Sequence, residues 1–316
     1  MIFFWIFIFV ISLFALVKGA DWVLESAERI GLAVGLSPFI IGVTIIGFGT
    51  SLPELISSIT AVLHDAPEIV AANVIGSNIF NILVIIGLSA IVARRLVVKK
   101  ELIDLELPTL AITTSIFLIV AMDGSVSLYE SIFLLITFIV YLGFSLIYKP
   151  SDADEPHEIE KLKSERPKLS LRDFVLLFLG FAGLIIGSQY LIVAVIKLSE
   201  LLKIAPGIIA ITAVAIGTSL PELVVSVKAA LAHKSELSIG NIFGSNIFNV
   251  LVVVGIPGLL STLILDEKTL LLGLPVMIIT TLLFVISGIS RRIHIQEGAL
   301  YILLYVVFMA KLFNLF

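Results

Sequence analysis

Apolar residues run through this chain in ten long stretches separated by short polar or charged breaks. The stretches cover roughly residues 2–20, 38–63, 68–92, 107–121, 127–148, 173–196, 206–232, 237–260, 270–288 and 297–313. A bilayer core about 30 Å thick needs about 20 apolar residues at a rise of about 1.5 Å each. Each stretch is therefore expected to form a transmembrane helix, since lipid leaves backbone groups no partner outside a helix or a closed barrel. The runs lack the alternation of a membrane barrel. Stretch 2–20 has the position of a signal peptide but no basic leading region, and it is read as a span.

Composition agrees with the pattern. The 316 residues are 59% hydrophobic and 14% charged, with a mean hydropathy of +1.18. Soluble domains carry about 45–50% apolar and about 25% charged residues. Too little polar surface remains to cover a soluble globule, which excludes an ordinary cytosolic enzyme and a disordered regulator. A net charge of −4 leaves no basic footprint for nucleic acid. The chain has no cysteine, so disulfides, thiolate metal sites and Cys nucleophiles are excluded.

The chain also repeats itself. Gly49-Thr50-Ser51-Leu52-Pro53-Glu54-Leu55 recurs as Gly217-Thr218-Ser219-Leu220-Pro221-Glu222-Leu223, a shift of 168 residues. At the same shift Asn73 through Asn81 recurs as Asn241 through Asn249, with Gly-Ser-Asn-Ile-Phe-Asn identical. Five spans separate each motif from its copy, so the copy enters the membrane from the opposite side. Inverted repeats with broken helices near the midplane point to a secondary transporter.

The expected fold is an all-α membrane protein of ten transmembrane helices, arranged as two inverted five-helix repeats with broken helices at the midplane. Residues 1–148 form the first repeat, 149–172 a polar linker and 173–316 the second repeat. If the termini share one side, that side holds Lys197, Lys203, Lys268 and Lys311, and the remaining Lys and Arg lie on or lean toward the other. Positive charge marks the cytoplasm. The chain is thus expected in a plasma (inner) membrane, with both termini outside and 149–172 cytoplasmic. The linker acids lack the Asp/Gly spacing of a calcium loop and read as solvated.

The motifs carry the chemistry. Gly42, Gly47 and Gly49 loosen stretch 38–63, and Pro53 cannot continue a helix from before it. A break near 47–52 is expected, with Pro53 opening a new half-helix and Glu54 in its first turn, where the helix dipole favours an anion. Carbonyls before the break are expected to become free oxygen ligands lining a polar cavity. Thr50 and Ser51 add hydroxyls, and 206–232 repeats the set with Thr218, Ser219 and Glu222. Glu54 and Glu222 are the acids expected deep inside apolar stretches, where a carboxylate is expensive and marks function. The alternative is a protonated pair bonding two helices.

Asn73, Ser77 and Asn81 form one helical stripe, repeated by Asn241, Ser245 and Asn249. With the carboxylates they make an all-oxygen set suited to Ca²⁺ or Na⁺ rather than zinc or copper. Ser77, Asn81, Ser245 and Asn249 are read as ligands. Asn73, Asn78, Asn241 and Asn246 are read as ligands or as interhelical hydrogen bonders. An intramembrane Ser nucleophile would need a His at similar depth. His64, His157, His233 and His294 lie at span ends or in loops, so no enzyme is expected. Lys228 is expected to snorkel rather than pair.

With Gly-Thr-Ser-Leu-Pro-Glu-Leu and Gly-Ser-Asn-Ile-Phe-Asn each present twice, the chain resembles the cation/calcium exchanger superfamily over its whole length. The Thr-Ser wording is similar to the sodium-coupled branches. The resemblance implies Ca²⁺ held by Glu54 and Glu222 with backbone oxygens near Thr50 and Thr218. It implies Na⁺ sites around Ser51, Ser77, Ser219, Ser245 and the carbonyls of Gly47 and Ala215, and the first two helices of each half sliding against a rigid core of the others. One position departs: sodium-coupled members often carry Asp where this chain has Asn249. The expected function is Na⁺/Ca²⁺ antiport at one shared site, with H⁺/Ca²⁺ antiport through the same glutamates as the alternative and a passive cation channel as a third. Transported Ca²⁺ and Na⁺ are the only ions implied. No cofactor and no obligate protein partner is expected.

Overall fold

The computed structural model describes residues 2–63, 65–98, 106–147, 167–201 and 217–315. Almost all of this is helix. The first part comprises α1 (Ile2–Val34), a short α2 (Pro38–Ile41) running into a π-helical segment Gly42–Phe48, α3 (Leu52–Leu63), α4 (Glu68–Val92), α5 (Leu107–Ala121) and α6 (Leu128–Ile147). Then follow α7 (Leu171–Leu201), α8 (Leu220–Leu231), α9 (Ser235–Gly258), α10 (Thr269–Ile289) and α11 (Ile295–Leu312). The helices match the expected stretches closely. Residues 206–216 of the seventh stretch, with Ala215, lie outside the described residues, as does most of the linker.

The expected end of the first stretch near residue 20 is too early. α1 continues to Val34 because its later half is amphipathic: Ala20, Val23, Leu24, Ala27 and Ile30 are buried, while Asp21, Glu25 and Glu28 take the other side. A one-sided apolar stripe sustains a helix that a pure apolar-run reading stops short of.

Two helices form the centre. In α4 and α9, 78% and 94% of the most apolar window is buried inside the protein, against 17% for α1 and 22% for α6 and α11. The outer helices present residues such as Phe7, Phe14, Ile119, Ile139, Phe178 and Ile286 outward. That is the distribution expected where the surrounding medium is lipid.

Small residues bring backbones together. A Cβ at Gly19 of α1 would stand 2.8 Å from the Gly180 carbonyl oxygen of α7, and one at Gly244 of α9 would stand 2.0 Å from the Val43 carbonyl oxygen. Close helix approach through small residues drives association where apolar burial does not.

Two short antiparallel ladders tie the early connections to the late ones. In β1 (Arg95–Val97) with β4 (Arg292–His294), Leu96 faces Ile293. In β2 (Ser125–Val126) with β3 (Leu263–Ile264), Val126 faces Leu263. Adding 167 to 96 and to 126 gives 263 and 293, so the second ladder is the first with its partners exchanged.

Candidate cation site

The π-helical Gly42–Phe48 and α3 meet at a bend of 46°, across Gly49, Thr50 and Ser51. Pro53 is the second residue of α3 and Glu54 lies in its first turn. In the other half Ser219 precedes α8, Pro221 is its second residue and Glu222 lies in its first turn. Proline is tolerated there because the N–H it lacks has no helical partner at a first turn. The expected break and restart are therefore present in the first half, and the restart is present in the second.

Both carboxylates are fully buried, as are Ser51 and Ser219. They are cross-linked. Ser51 donates to Glu222 Oε1 at 2.9 Å, and Ser219 donates to Glu54 Oε1 at 3.1 Å. Each serine thus serves the glutamate of the other half. Glu54 Oε2 and Glu222 Oε2 are buried without a hydrogen-bonding partner. A buried acceptor left unmade costs about 1–3 kcal/mol, and more for a charged group.

Other oxygens surround it. Ser245 donates to the Gly47 carbonyl at 3.1 Å and reaches Glu222 Oε1 at 3.4 Å. Thr50 donates to the Gly47 carbonyl at 3.3 Å and to Asn241 Oδ1 at 3.1 Å. The Gly47 carbonyl, expected to be free, instead accepts from two hydroxyls and from Ser51 N–H at 3.3 Å. The bend widens the turn without stripping it, and hydroxyls crowd the oxygen it turns inward. Thr218 Oγ1, Ser77 Oγ, Asn81 Oδ1 and Asn249 Oδ1 are buried and unpartnered.

The second motif adds crossed amides. Asn81 Nδ2 donates to Asn246 Oδ1 at 2.9 Å, and Asn249 Nδ2 donates to Asn78 Oδ1 at 3.1 Å. α4 and α9 both switch from α- to π-helical turns at these residues, over Asn81–Ile86 and Asn249–Val253. Such widened turns gather at functional sites because they re-aim the side chains that follow. Asn73 Nδ2 lies 3.4 Å from Ser57 Oγ, whereas Asn241 donates to Ser226 at 2.8 Å and accepts from Thr50. Asn241 therefore borders the carboxylates and Asn73 bonds back to α3.

Two features were missed in the sequence. Lys228 does not snorkel: its Nζ pairs with Asp21 and donates to the Val17 carbonyl at 2.8 Å, joining α8 to α1. The signal in the sequence was weak, because Asp21 already has a cation one turn back on its own helix, Lys18 at 3.8 Å. Glu106, 2% exposed at the head of α5, is a further buried carboxylate, and Tyr141 donates to it at 3.3 Å. Its place at a span end made it look solvated.

Among the described residues no group of three His, Cys, Asp or Glu side chains could hold a metal ion. The oxygen cluster is carried by two carboxylates with hydroxyls, amides and a carbonyl, a hard donor set of low formal charge.

Known proteins resemble this chain over nearly its whole length. The family model described as sodium/calcium exchanger protein matches residues 4–147 and 173–314. The chain is 31% identical to sodium/calcium exchanger MaX1 of Methanosarcina acetivorans, covering 97% of each chain. It is 32% identical to inner membrane protein YrbG of Escherichia coli, covering 87% of this chain and 86% of the relative. It superposes on the sodium-calcium exchanger NCX_Mj with a TM-score of 0.84 at 30% identity, over 99% of this chain and 100% of that one. NCX_Mj has been solved soaked with Na⁺, Ca²⁺ and Sr²⁺. Two of these relatives are named sodium/calcium exchangers and the third an inner membrane protein, and this chain, whose two halves both match the model, belongs to the sodium/calcium exchanger family.

Proposed function

We propose that the chain is a secondary antiporter that exchanges Na⁺ for Ca²⁺ at one shared site formed by Glu54 and Glu222. The observation that carries this reading is the crossed hydrogen bonding of Ser51 to Glu222 and Ser219 to Glu54. It joins two membrane-buried carboxylates from the two halves and leaves one oxygen of each unpartnered.

The ligands proposed are Glu54, Glu222, the oxygens at Thr50 and Thr218, Ser51, Ser219, Ser77, Ser245, Asn81, Asn249 and the carbonyls of Gly47 and Ala215. Ca²⁺ takes six to eight oxygens at about 2.3–2.6 Å, which a cluster of this kind can supply. Two carboxylates carry two negative charges, which one Ca²⁺ or two Na⁺ neutralise. An empty site is a double charge in a low-dielectric interior and resists passage through the membrane centre. A loaded site is neutral and passes. Exchange without slippage follows from that difference, with no resident cofactor.

The proposed architecture is ten transmembrane helices in two inverted five-helix repeats, 1–148 and 173–316, joined by a cytoplasmic linker, with both termini outside. Support comes from the two ladders with exchanged partners and from the crossed Ser–Glu and Asn–Asn pairs. α1 and α7, which pack against each other through glycines, are the proposed sliding pair.

The test is ⁴⁵Ca²⁺ uptake into proteoliposomes holding the purified chain. Uptake is expected when Na⁺ is loaded inside and diluted outside. Uptake driven equally well by a proton gradient alone would overturn the sodium assignment in favour of H⁺/Ca²⁺ exchange, and uptake with no gradient of either would indicate a channel.

A further inference from the structure

Amide side chains have one donating and one accepting end, and only the accepting end can ligate a cation. Which end Asn81 and Asn249 turn inward therefore decides whether they help or hinder. We infer that Asn78 is a positioning residue that settles this choice for Asn249, by accepting its NH₂ group and so turning its carbonyl oxygen toward the cation. The inference rests on the cation-site reading above and extends it to a residue outside the proposed ligand set.

The chain of constraints starts at a backbone carbonyl. Asn78 Nδ2 donates to the Asn246 main-chain oxygen at 3.1 Å. A carbonyl can only accept, so this end of Asn78 is its NH₂ and the other end is Oδ1. Asn78 Oδ1 in turn can only accept, and it meets Asn249 at 3.1 Å, so that end of Asn249 is its NH₂. Asn249 Oδ1 is thereby committed to the opposite side, where it is buried and unpartnered. Asn81 Nδ2 meets Asn246 Oδ1 at 2.9 Å, but Asn246 Nδ2 has no partner, so no carbonyl anchors that pair and the constraint acts on Asn249 alone.

The opposite side is that of the cluster. Ser77 and Ser245 stand one turn earlier than Asn81 and Asn249 on the same helix faces. Ser245 reaches Glu222 Oε1 at 3.4 Å, and Ser77 Oγ is buried without a partner. An amide turned the other way would aim two N–H bonds at a cation. Partners of this kind, one shell out from the ligands, are typically worth about 10- to 100-fold in metal affinity.

The experiment measures Ca²⁺ binding to the detergent-purified chain by equilibrium dialysis with ⁴⁵Ca²⁺, in Na⁺-free buffer, so it does not require exchange. Asn78→Leu and the smaller Asn78→Ala are each made in two backgrounds, unaltered and Asn249→Asp. The two oxygens of a carboxylate are equivalent, so an aspartate has no wrong end to turn inward. The expected result is a loss of about 10- to 100-fold in Ca²⁺ affinity for both Asn78 variants in the unaltered background. In the Asn249→Asp background the loss should vanish or reverse, since Asn78 Oδ1 would then face a carboxylate. Equal losses in both backgrounds, no loss in the first, or failure of both Asn78 variants to fold would make Asn78 a scaffold contact and overturn the inference. Failure of the exchange reading is distinguishable: the unaltered chain would then show no Na⁺-driven uptake, whatever the dialysis gives.

Discussion

Ser51 donates its hydroxyl to Glu222 across 171 residues of sequence, at 2.9 Å, although Glu54 lies only three residues further along the chain. The mirror contact, Ser219 to Glu54, is 3.1 Å. Each half of the chain therefore completes the anionic group of the other, and neither half alone holds a finished site. The fold has to bring two first turns of two half-helices nose to nose, and the central α4 and α9 are buried because they brace that meeting.

The carboxylates themselves give the first prediction. Glu54→Gln and Glu222→Gln each remove one of the two charges that a divalent ion neutralises and replace an oxygen ligand with an amide. Each variant is expected to lower Na⁺-driven ⁴⁵Ca²⁺ uptake by at least about 100-fold, the scale set by losing charged hydrogen-bonding and ligating partners in a dry site. Full transport by either one removes the shared-site reading.

Ser51→Ala and Ser219→Ala test the crossed arrangement. A hydrogen bond to a charged group contributes about 1.5–3 kcal/mol, or about 10- to 100-fold. Because each serine serves the opposite glutamate, the loss in Ser51→Ala should persist in a Glu54→Gln background and fade in a Glu222→Gln background. Ca²⁺ affinities of the unaltered chain and the two glutamine backgrounds, each with and without Ser51→Ala, read this directly. Coupling of Ser51 to Glu54 instead would contradict the geometry.

The described helices, the break before Pro53, the restart at Pro221 and the two acids were legible in the sequence because each rests on local physics. Twenty apolar residues span lipid whatever their neighbours do, and Pro53 opens a helix turn on its own account. What was not legible depends on partners brought in by the fold. Lys228 reads as a snorkelling cation until Asp21, 207 residues earlier, is placed beside it. The Gly47 carbonyl reads as free until Ser245 arrives from α9. Asn78 and Asn246 read as ligands or as interhelical hydrogen bonders, and only the fold shows that their Oδ1 atoms meet the amides of Asn249 and Asn81. The early end assigned to α1 failed for a different reason: a run of apolar residues was the criterion, and an amphipathic continuation does not meet it.

Gly244 supplies a prediction on stability. A Cβ there would stand 2.0 Å from the Val43 carbonyl oxygen and 2.7 Å from its carbon, both main-chain atoms that cannot swing aside. At Gly47 the nearest contact is milder, 2.9 Å from the Asn241 carbonyl oxygen. Overpacking of this kind costs about 1–3 kcal/mol. Thermal unfolding of the detergent-purified protein should show Gly244→Ala melting below Gly47→Ala, and both below the unaltered chain. Equal melting of Gly244→Ala and the unaltered chain would mean that α9 does not approach Gly42–Phe48 this closely.

Asp21 and Lys228 bear on movement rather than binding. Their ion pair joins α1, of the proposed sliding pair, to α8, the half-helix that carries Glu222, and the same Nζ holds the Val17 carbonyl at 2.8 Å. The repeat shift of 168 puts Gln189 and Thr60 at the corresponding positions of the other half, so no ion pair can form there. A tie present on one side of a two-state exchanger favours the state in which it is closed. The pair is partly exposed, with side chains 23% and 47% accessible, so its worth is small, about 1 kcal/mol or less. Lys228→Met and Asp21→Asn are therefore expected to change the maximal rate of Ca²⁺ uptake by up to about fivefold. The Ca²⁺ dissociation constant of the solubilised protein should stay put, since neither residue is among the proposed ligands. Asp21→Lys combined with Lys228→Asp should bring the rate back toward that of the unaltered chain. A shift in Ca²⁺ affinity as large as the shift in rate would place the pair within the binding site and remove its role as a tie between the moving and fixed helices.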